Sequence, residues 1–303
     1  MMFAIETKGL RKEYGDKVAL EGLTLQVAKG EVFGFLGPNG AGKTTAVKIL
    51  TGLVAPTAGE ARILGGSPAD PATRRRIGFL PELFRFHEWL NGAELLEFHG
   101  RLCGIDSDRR RKRIAEALSL VGLAGHGDRR VRTYSKGMQQ RLGIAQALLG
   151  EPDLVLLDEP TSALDPLGRK EIRDLLRNLR GEGVSVFLNS HLLSEIELIC
   201  DRVAIVDRGR VVREGSLTKL LAGEHELQIK LDRVDAEALD ALSAFGHVRH
   251  ATGRALVLVV PDVEVAPRVA RCLMEKGYDI FGLTPVQQSL EDIFTEAVTG
   301  GEG

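Results

Sequence analysis

The stretch GPNGAGKTT, residues 37–45, decides the fold class of this 303-residue chain. A short and mostly apolar run, EVFGFL at 31–36, comes before it, and AVKILTGL at 46–53 follows with apolar residues at helical spacing. The predicted order is therefore a strand, a glycine-rich loop and a helix. Backbone N–H groups and the helix dipole then point at one anion. This context predicts a phosphate-binding loop within an α/β fold.

The loop contains the residue types that bind phosphoryl groups and their metal ion. We predict that Lys43 reaches the β- and γ-phosphates of a nucleotide and that the Thr44 hydroxyl binds Mg²⁺. The glycines allow the backbone to wrap the phosphates closely. The predicted nucleotide-binding residues of the loop are Gly37, Pro38, Asn39, Gly40, Ala41, Gly42, Lys43, Thr44 and Thr45.

Two carboxylates follow a second apolar run, LVLL at 154–157. The carboxyl ends of strands in an open parallel sheet face the nucleotide, so Asp158 and Glu159 are expected at that edge. We predict that Asp158 holds Mg²⁺ and that Glu159 orients and deprotonates the attacking water. An acidic pair after an apolar run is otherwise typical of a helix N-cap, but the phosphate loop in the same chain favours the catalytic interpretation.

A further stretch, YSKGMQQR at 134–141, places a serine, a glycine and donor-rich side chains at the start of a predicted helix. It occurs with LLDEPTSALD at 156–165, the pair Ser190 and His191, and Tyr14 ahead of the first strands. Together these motifs resemble the ATPase subunit of an ATP-binding cassette (ABC) transporter, which is a P-loop NTPase. The resemblance covers about residues 3–221, and the motifs occur in the order of that family.

The resemblance implies that two cassettes pair head to tail, with the signature motif of one closing over the ATP held by the other. Ser135 and the Gly137 N–H would then contact the γ-phosphate of the partner's nucleotide, at the positive end of a helix. It also implies that Tyr14 stacks on adenine, that His191 contacts the γ-phosphate and positions the general base, and that Asp165 couples the two sites. Without the resemblance, Tyr14 is typical of a core or strand-edge aromatic and His191 of a helix cap.

One residue departs from the family pattern. The family has a glutamine at the loop that senses both Mg²⁺ and the membrane partner, whereas GFLPEL at 78–83 has Glu82 there. A carboxylate can still bind Mg²⁺ through oxygen, with more charge, so Glu82 is retained as a predicted metal ligand. A glutamate here resembles the variant of cassettes that serve separate, export-type permeases.

Helical periodicity characterises the segment between Glu82 and Ser135, which we assign to a helical subdomain at about 84–150. In the family, this subdomain and the loop of Glu82 receive the permease. Its basic block RRRKR at 109–113 could contact anionic lipid or a permease loop, but a solvated helix start is the favoured interpretation. The same holds for the arginines at 74–76.

The pattern changes after the cassette, and we predict a boundary between residues 1–223 and 224–303. The second part is predicted to run strand, helix, two strands, helix, strand, helix, which is a small α+β domain of the split βαβ kind. Its close, SLEDIFTEAVTG at 289–300, resembles the C-terminal extension of ATPases that work with ABC-2 type exporters. A dimer contact or a regulatory module is favoured over an enzyme.

Composition restricts the remaining function classes. The 40 basic and 42 acidic residues nearly cancel, which gives no reason to expect a nucleic-acid partner. The longest apolar runs are far below the ~20 residues that cross a bilayer. No long heptad-patterned insertion, typical of DNA-repair cassettes, interrupts the chain, and one phosphate loop argues against the tandem cassettes of translation factors.

The sequence therefore predicts an ATP-hydrolysing subunit of an export-type ABC transporter at the cytoplasmic face of the membrane. Its expected partners are a second cassette, identical or paired, and a separately encoded polytopic permease that selects the substrate. A soluble ABC ATPase without a transport role is the alternative. A co-purifying membrane protein distinguishes the two.

Overall fold

A computed structural model of the chain, which describes residues 3–221, 225–286 and 289–299, divides it into two compact units. One unit contains the described residues up to Leu217 together with those from Glu296, and the other is Thr218–Thr295. The boundary predicted at residues 223 and 224 lies outside the described residues. Every residue of the predicted nucleotide site belongs to the first unit.

A six-stranded sheet forms the centre of the first unit, with the order β5-β6-β7-β3-β8-β9. Its strands are β3 (Val32–Leu36), β5 (Ile77–Leu80), β6 (Leu154–Asp158), β7 (Ser185–Asn189), β8 (Arg202–Asp207) and β9 (Arg210–Ser216). All neighbours pair in parallel except β8 and β9. Every residue of β3, β6 and β7 is buried, as expected for parallel strands covered on both faces. These runs therefore confirm the predicted α/β class.

A second, antiparallel sheet in this unit has the order β2-β1-β4, formed by β1 (Phe3–Tyr14), β2 (Lys17–Ala28) and β4 (Ala58–Ile63). The sequence placed Tyr14 ahead of the first strands, and this was wrong. Tyr14 is the last residue of β1 and pairs with Lys17 across a two-residue turn, in which Gly15 has a φ of 58°. Glycine adopts this left-handed conformation without steric cost, so the chain reverses directly after Tyr14.

Seven helices are described in the first unit before β8: α1 (Lys43–Leu50), α2 (Pro71–Arg74), α3 (Gly92–Leu102), α4 (Ser107–Leu120), α5 (Lys136–Leu148), α6 (Pro166–Gly181) and α7 (Leu193–Ile199). Three of them, α3 to α5, occupy the segment assigned to the helical subdomain. Asn91 and Glu94 form a reciprocal capping box that fixes the start of α3. None of the helices described in the chain has the length and apolar character needed to span a bilayer.

The basic block at 109–113 contacts acidic and carbonyl groups of its own chain. Arg110 lies 2.8 Å from the carboxylate of Glu97, and Arg113 donates to the backbone oxygen of Leu148 at 3.2 Å, at the end of α5. The carbonyls at a helix C-terminus lack intrahelical donors and favour cations. The block lies at the start of α4, where a solvated helix start was the favoured interpretation; Arg109, Arg111 and Lys112 are exposed, whereas Arg110 and Arg113 are partly buried in the contacts above.

The remaining elements are α8 (Leu217–Leu221), β10 (His225–Leu231), α9 (Ala236–Ser243), β11 (His247–Thr252), β12 (Ala255–Val260), α10 (Ala266–Glu275), β13 (Ile280–Val286) and α11 (Leu290–Thr299). From β10 onward their order confirms the predicted strand, helix, two strands, helix, strand, helix. The sheet has the order β11-β12-β10-β13 with antiparallel pairs, which is a split βαβ arrangement. Its core contains alternate residues of β10, with Leu227 and Ile229 both fully buried.

Candidate functional site

The glycine-rich loop connects the end of β3 to the start of α1, as the sequence predicts. Gly42 caps the helix with a φ of 101°, and a Cβ atom there would lie 2.3 Å from the backbone oxygen of Ala19. A Cβ atom at Gly37 would lie 2.3 Å from the backbone oxygen of Val206. Only glycine fits at these two positions, so these glycines are what allows the loop backbone to lie this close to neighbouring backbone.

Lys43 lies in the first turn of α1 and points back into this loop. Its Nζ donates hydrogen bonds to the backbone oxygens of Gly37 at 2.7 Å and of Pro38 at 3.1 Å. Burial lowers the pKa of this amine, and nearby carboxylates act in the opposite direction. The ammonium therefore has partners within its own loop while it remains positioned for phosphate.

Asp158 is the last residue of β6 and is 3% exposed. It pairs in register with Asn189 at the end of β7, whose side-chain amide donates to its carboxylate. Burial, with the negative charges of Glu82 and Glu159, raises the pKa of Asp158 to about 6, whereas the Asn189 amide and Lys43 lower it. Three carboxylates and the loop lysine thus lie close enough to act on one another.

Glu159 follows directly and is held by the pair Ser190 and His191. Its Oε1 accepts from the backbone N–H of His191 at 2.8 Å, and its Oε2 lies 2.8 Å from Nδ1 of the same residue. The Ser190 hydroxyl is 3.5 Å from Oε2. The Glu159 side chain is 11% exposed, whereas the His191 side chain is 68% exposed. His191 therefore restrains both oxygens of the Glu159 carboxylate while most of its own side chain remains exposed.

The residues present fit a divalent cation. Asp158 is a buried carboxylate whose pKa is raised, and the Oδ1 of Asn189 is the one buried side-chain polar atom in the described ranges that lacks a hydrogen-bond partner. In the part of the chain that the structure describes, no three or more His, Cys, Asp or Glu residues are arranged so that they alone could hold a metal ion. Mg²⁺ would therefore depend on the predicted ligands Thr44, Asp158 and Glu82 together with nucleotide oxygens, and when bound it would neutralise charge on the phosphates.

The signature residues lie at the start of α5. The Ser135 hydroxyl caps this helix by accepting from the backbone N–H of Met138 at 3.2 Å, which leaves its hydrogen free to donate. A Cβ atom at Gly137 would meet the Ala163 oxygen and the Leu164 side chain at 3.4 Å. These neighbours belong to the segment before α6 rather than to the phosphate loop.

Three further predicted site residues are Tyr14, Asp165 and Glu82. Tyr14 is 47% exposed, and the Lys12 amine lies 5.0 Å from its ring centre. Asp165 caps α6 by accepting from the Gly168 N–H at 3.0 Å, a local role that the sequence analysis did not assign. Glu82 is exposed on the segment between β5 and α3.

Sequence reasoning missed Asn189 and gave Ser190 no role. Asn189 is the last residue of β7 and Ser190 follows it, and β7 pairs with β6 so that Asn189 lies opposite Asp158. The signal was a polar pair after a buried run, SVFL at 185–188. Polar residues at the carboxyl end of a parallel strand lie beside the ligand, so this pair could have been assigned to the site.

We expect Mg²⁺-dependent nucleotide binding to weaken as the pH falls through about 6, because the proton on Asp158 then competes with the cation. Above that pH the carboxylate is charged and the dependence should disappear. Binding of a fluorescent nucleotide at saturating and zero Mg²⁺ between pH 5 and 8 measures this. The variant Asp158→Asn is the control, since it retains the titration of the nucleotide itself. An identical pH profile in both proteins would contradict the assignment.

Comparison with known proteins gives concordant matches. Residues 20–162 match the family model for ABC transporters. The chain is 40% identical to the daunorubicin resistance ATP-binding protein DrrA3 of Streptomyces coeruleorubidus, covering 96% of this chain and 94% of that protein. It is 35% identical to the bacitracin transport ATP-binding protein BcrA of Bacillus licheniformis, covering 99% of both. Among solved structures, a dimeric post-hydrolysis state of the ATP-binding cassette MJ0796 bound to ADP and Pi matches with a TM-score of 0.65 at 30% identity, over 70% of this chain and 98% of that one.

Proposed function

The chain belongs to the ATP-binding subunits of ABC transporters, and from that membership we propose that it hydrolyses ATP to drive a separate membrane permease. The observation that carries the proposal is the convergence of Lys43, Asp158 and Glu159 at the carboxyl edge of the parallel sheet. This arrangement fits phosphoryl transfer to water, where positioning and charge stabilisation provide most of the catalysis.

In the proposed reaction, Glu159 accepts a proton from the attacking water and His191 contacts the γ-phosphate. The support is geometric, because Oε1 and Oε2 of Glu159 both contact His191. Lys43 would exchange its two loop carbonyls for the β- and γ-phosphates. Tyr14, exposed at the end of β1, would stack on adenine.

We further propose that two cassettes close head to tail around ATP. The support is that Ser135 is exposed with an available hydroxyl hydrogen and that the neighbours of Gly137 belong to the segment before α6, not to its own phosphate loop. Asp165 lies at the end of that segment and would couple the two sites. The related cassette MJ0796 has been solved as a dimer bound to ADP and Pi.

An exposed apolar surface supports a protein partner. We use the name aromatic patch for the surface formed by His87, Trp89, Phe98 and Leu102. The His87 ring lies 4.7 Å from that of Trp89 and 6.3 Å from that of Phe98, and Leu102 lies one turn beyond Phe98 on α3. Trp89 is 65% and Leu102 69% exposed, which is costly for a surface without a partner.

We propose that a cytoplasmic loop of the permease binds the aromatic patch and the neighbouring loop of Glu82. The charge of Glu82 raises the pKa of Asp158, so this loop lies near the proposed metal site. The names of two relatives, one for daunorubicin resistance and one for bacitracin transport, support an exporter at the cytoplasmic face of the membrane.

The variant Leu102→Asp is expected to release the protein from membranes while leaving its basal ATP hydrolysis unchanged, because a desolvated carboxylate in an apolar interface costs several kcal/mol. The matched control is Leu198→Asp, which changes an exposed leucine of α7 outside the patch. Membrane fractionation of the tagged protein from its own cells, with identification of a co-purifying polytopic protein, measures the effect. Hydrolysis by wild-type protein that never fractionates with membranes would favour the soluble ABC ATPase.

A further inference from the structure

Gln140 is a buried polar residue for which the proposed reaction has no use. It lies on α5, five residues after Ser135, and is 5% exposed. An amide buried without a hydrogen bond costs about 1 to 3 kcal/mol, so such a side chain is retained only where it has a partner.

The partner is the backbone of the proposed general base. The Nε2 of Gln140 donates to the carbonyl oxygen of Glu159 at 3.0 Å, and this bond is buried. The same oxygen accepts from the Ser162 hydroxyl at 3.1 Å and from the Ser162 N–H at 3.4 Å. The Glu159 N–H in turn donates to the carbonyl of Asn189 at 2.8 Å. The peptide groups on both sides of Glu159 are therefore fixed by hydrogen bonds.

Glu159 needs this support because its backbone is strained. Its φ is 53°, a left-handed conformation that costs a residue with a side chain about 1 to 2 kcal/mol. Such residues persist where the surrounding structure holds them, and they occur at functional sites. If the carbonyl lost a donor, the backbone could relax and carry the carboxylate away from His191.

We propose that Gln140 is a positioning residue, which holds Glu159 in its left-handed conformation and links α5 to the general base of the same subunit. This inference rests on the proposed function, in which Glu159 activates water and the start of α5 contacts the partner's nucleotide. One helix would then contact the phosphate of one site through Ser135 and the backbone carbonyl of the general base of the other site through Gln140. Through α5, nucleotide binding at one site would then affect the position of the general base at the other.

The decisive variant is Gln140→Met, which keeps an unbranched side chain of similar length and removes the donor. We expect kcat to fall on the order of 10- to 100-fold, with the KM and the ATP affinity of the isolated subunit unchanged. The matched control is Gln146→Met, six residues farther along α5, which should retain the wild-type kcat.

A double-mutant cycle with Glu159→Gln separates positioning from a general loss of structure. If Gln140 acts through the carboxylate, Gln140→Met should lower the residual single-turnover rate of Glu159→Gln no further. A second decrease of similar size would overturn the inference, since it would indicate that Gln140 supports the fold rather than the base.

Thermal unfolding shows whether each variant is folded. If Gln140→Met is not folded, Ser162→Ala tests the positioning role in its place. This exposed serine donates to the same carbonyl, so its removal should lower kcat and leave ATP affinity unchanged. Wild-type hydrolysis is measured first, because its absence would refute the proposed function itself. A wild-type kcat in folded Gln140→Met would refute the positioning role and leave the proposed function intact. The same result in Ser162→Ala would do so where that variant replaces Gln140→Met.

Discussion

Replacing Glu159 with glutamine is expected to reduce ATP hydrolysis about 10²- to 10⁴-fold while ATP binding persists. The amide has the shape of the carboxylate, but it cannot take a proton from water. It also has one acceptor oxygen in place of the two that contact His191. Since hydrolysis would no longer reopen the closed pair, ATP-bound dimers should accumulate.

Phosphate release and size-exclusion chromatography with ATP and Mg²⁺ check these two expectations in one preparation. The matched control is Glu60→Gln, which removes a charge from an exposed glutamate of β4. Turnover at the wild-type rate by Glu159→Gln would sink the assignment of the general base. A loss of ATP binding would instead indicate that Glu159 is needed to form the pocket.

The variant Ser135→Arg is expected to abolish hydrolysis and dimer closure while the isolated subunit binds ATP normally. In the proposed dimer Ser135 contacts only the partner's nucleotide, where a charge-assisted hydrogen bond contributes about 1.5 to 3 kcal/mol. The bulky arginine would prevent that contact and others made only in the closed state. The matched control is Ser107→Arg, which introduces the same side chain at the exposed start of α4.

Complementation gives this prediction its sharpest form. The variant Lys43→Ala has an intact signature but a phosphate loop without its lysine, so it should hydrolyse little ATP by itself. A mixed dimer of Lys43→Ala with Ser135→Arg contains one site in which both the loop and the signature are intact. Hydrolysis by the mixture should therefore exceed that of either variant alone. Weakened ATP binding by the Ser135→Arg subunit itself would place the signature beside its own loop and overturn the head-to-tail proposal.

Much of the fold could be predicted because its patterns are local. The strand, loop and helix around Lys43 follow from one apolar run, one set of glycines and one periodic segment, and the structure has all three. The start of α5 at Lys136 follows from the serine that caps it. The position of Tyr14 was mispredicted because β1 extends for 12 residues and ends at a tight turn directly after Tyr14.

Site residues that belong to a sequence motif could be predicted. Contacts that arise from pairing between distant segments could not. Asp158 contacts Asn189 only because β6 lies beside β7. The sequence of neither segment specifies the order of strands in the sheet. Gln140 meets Glu159 across a separation of 19 residues through the packing of α5 against the sheet. Its burial and its partner are tertiary facts, whereas its sequence context resembles that of the half-exposed Gln139.

The hydrogen bonds of Lys43 to its own loop have a consequence for the time between turnovers. Gly37 and Pro38 supply acceptors for the ammonium, so the loop and its lysine restrain each other. A lysine that its own loop already holds loses little conformational freedom when a nucleotide binds, so association should depend mainly on diffusion and nucleotide concentration. We therefore expect the relative abundance of ATP and ADP in the cell to decide which nucleotide enters next, so that energy charge regulates how often the transporter is primed.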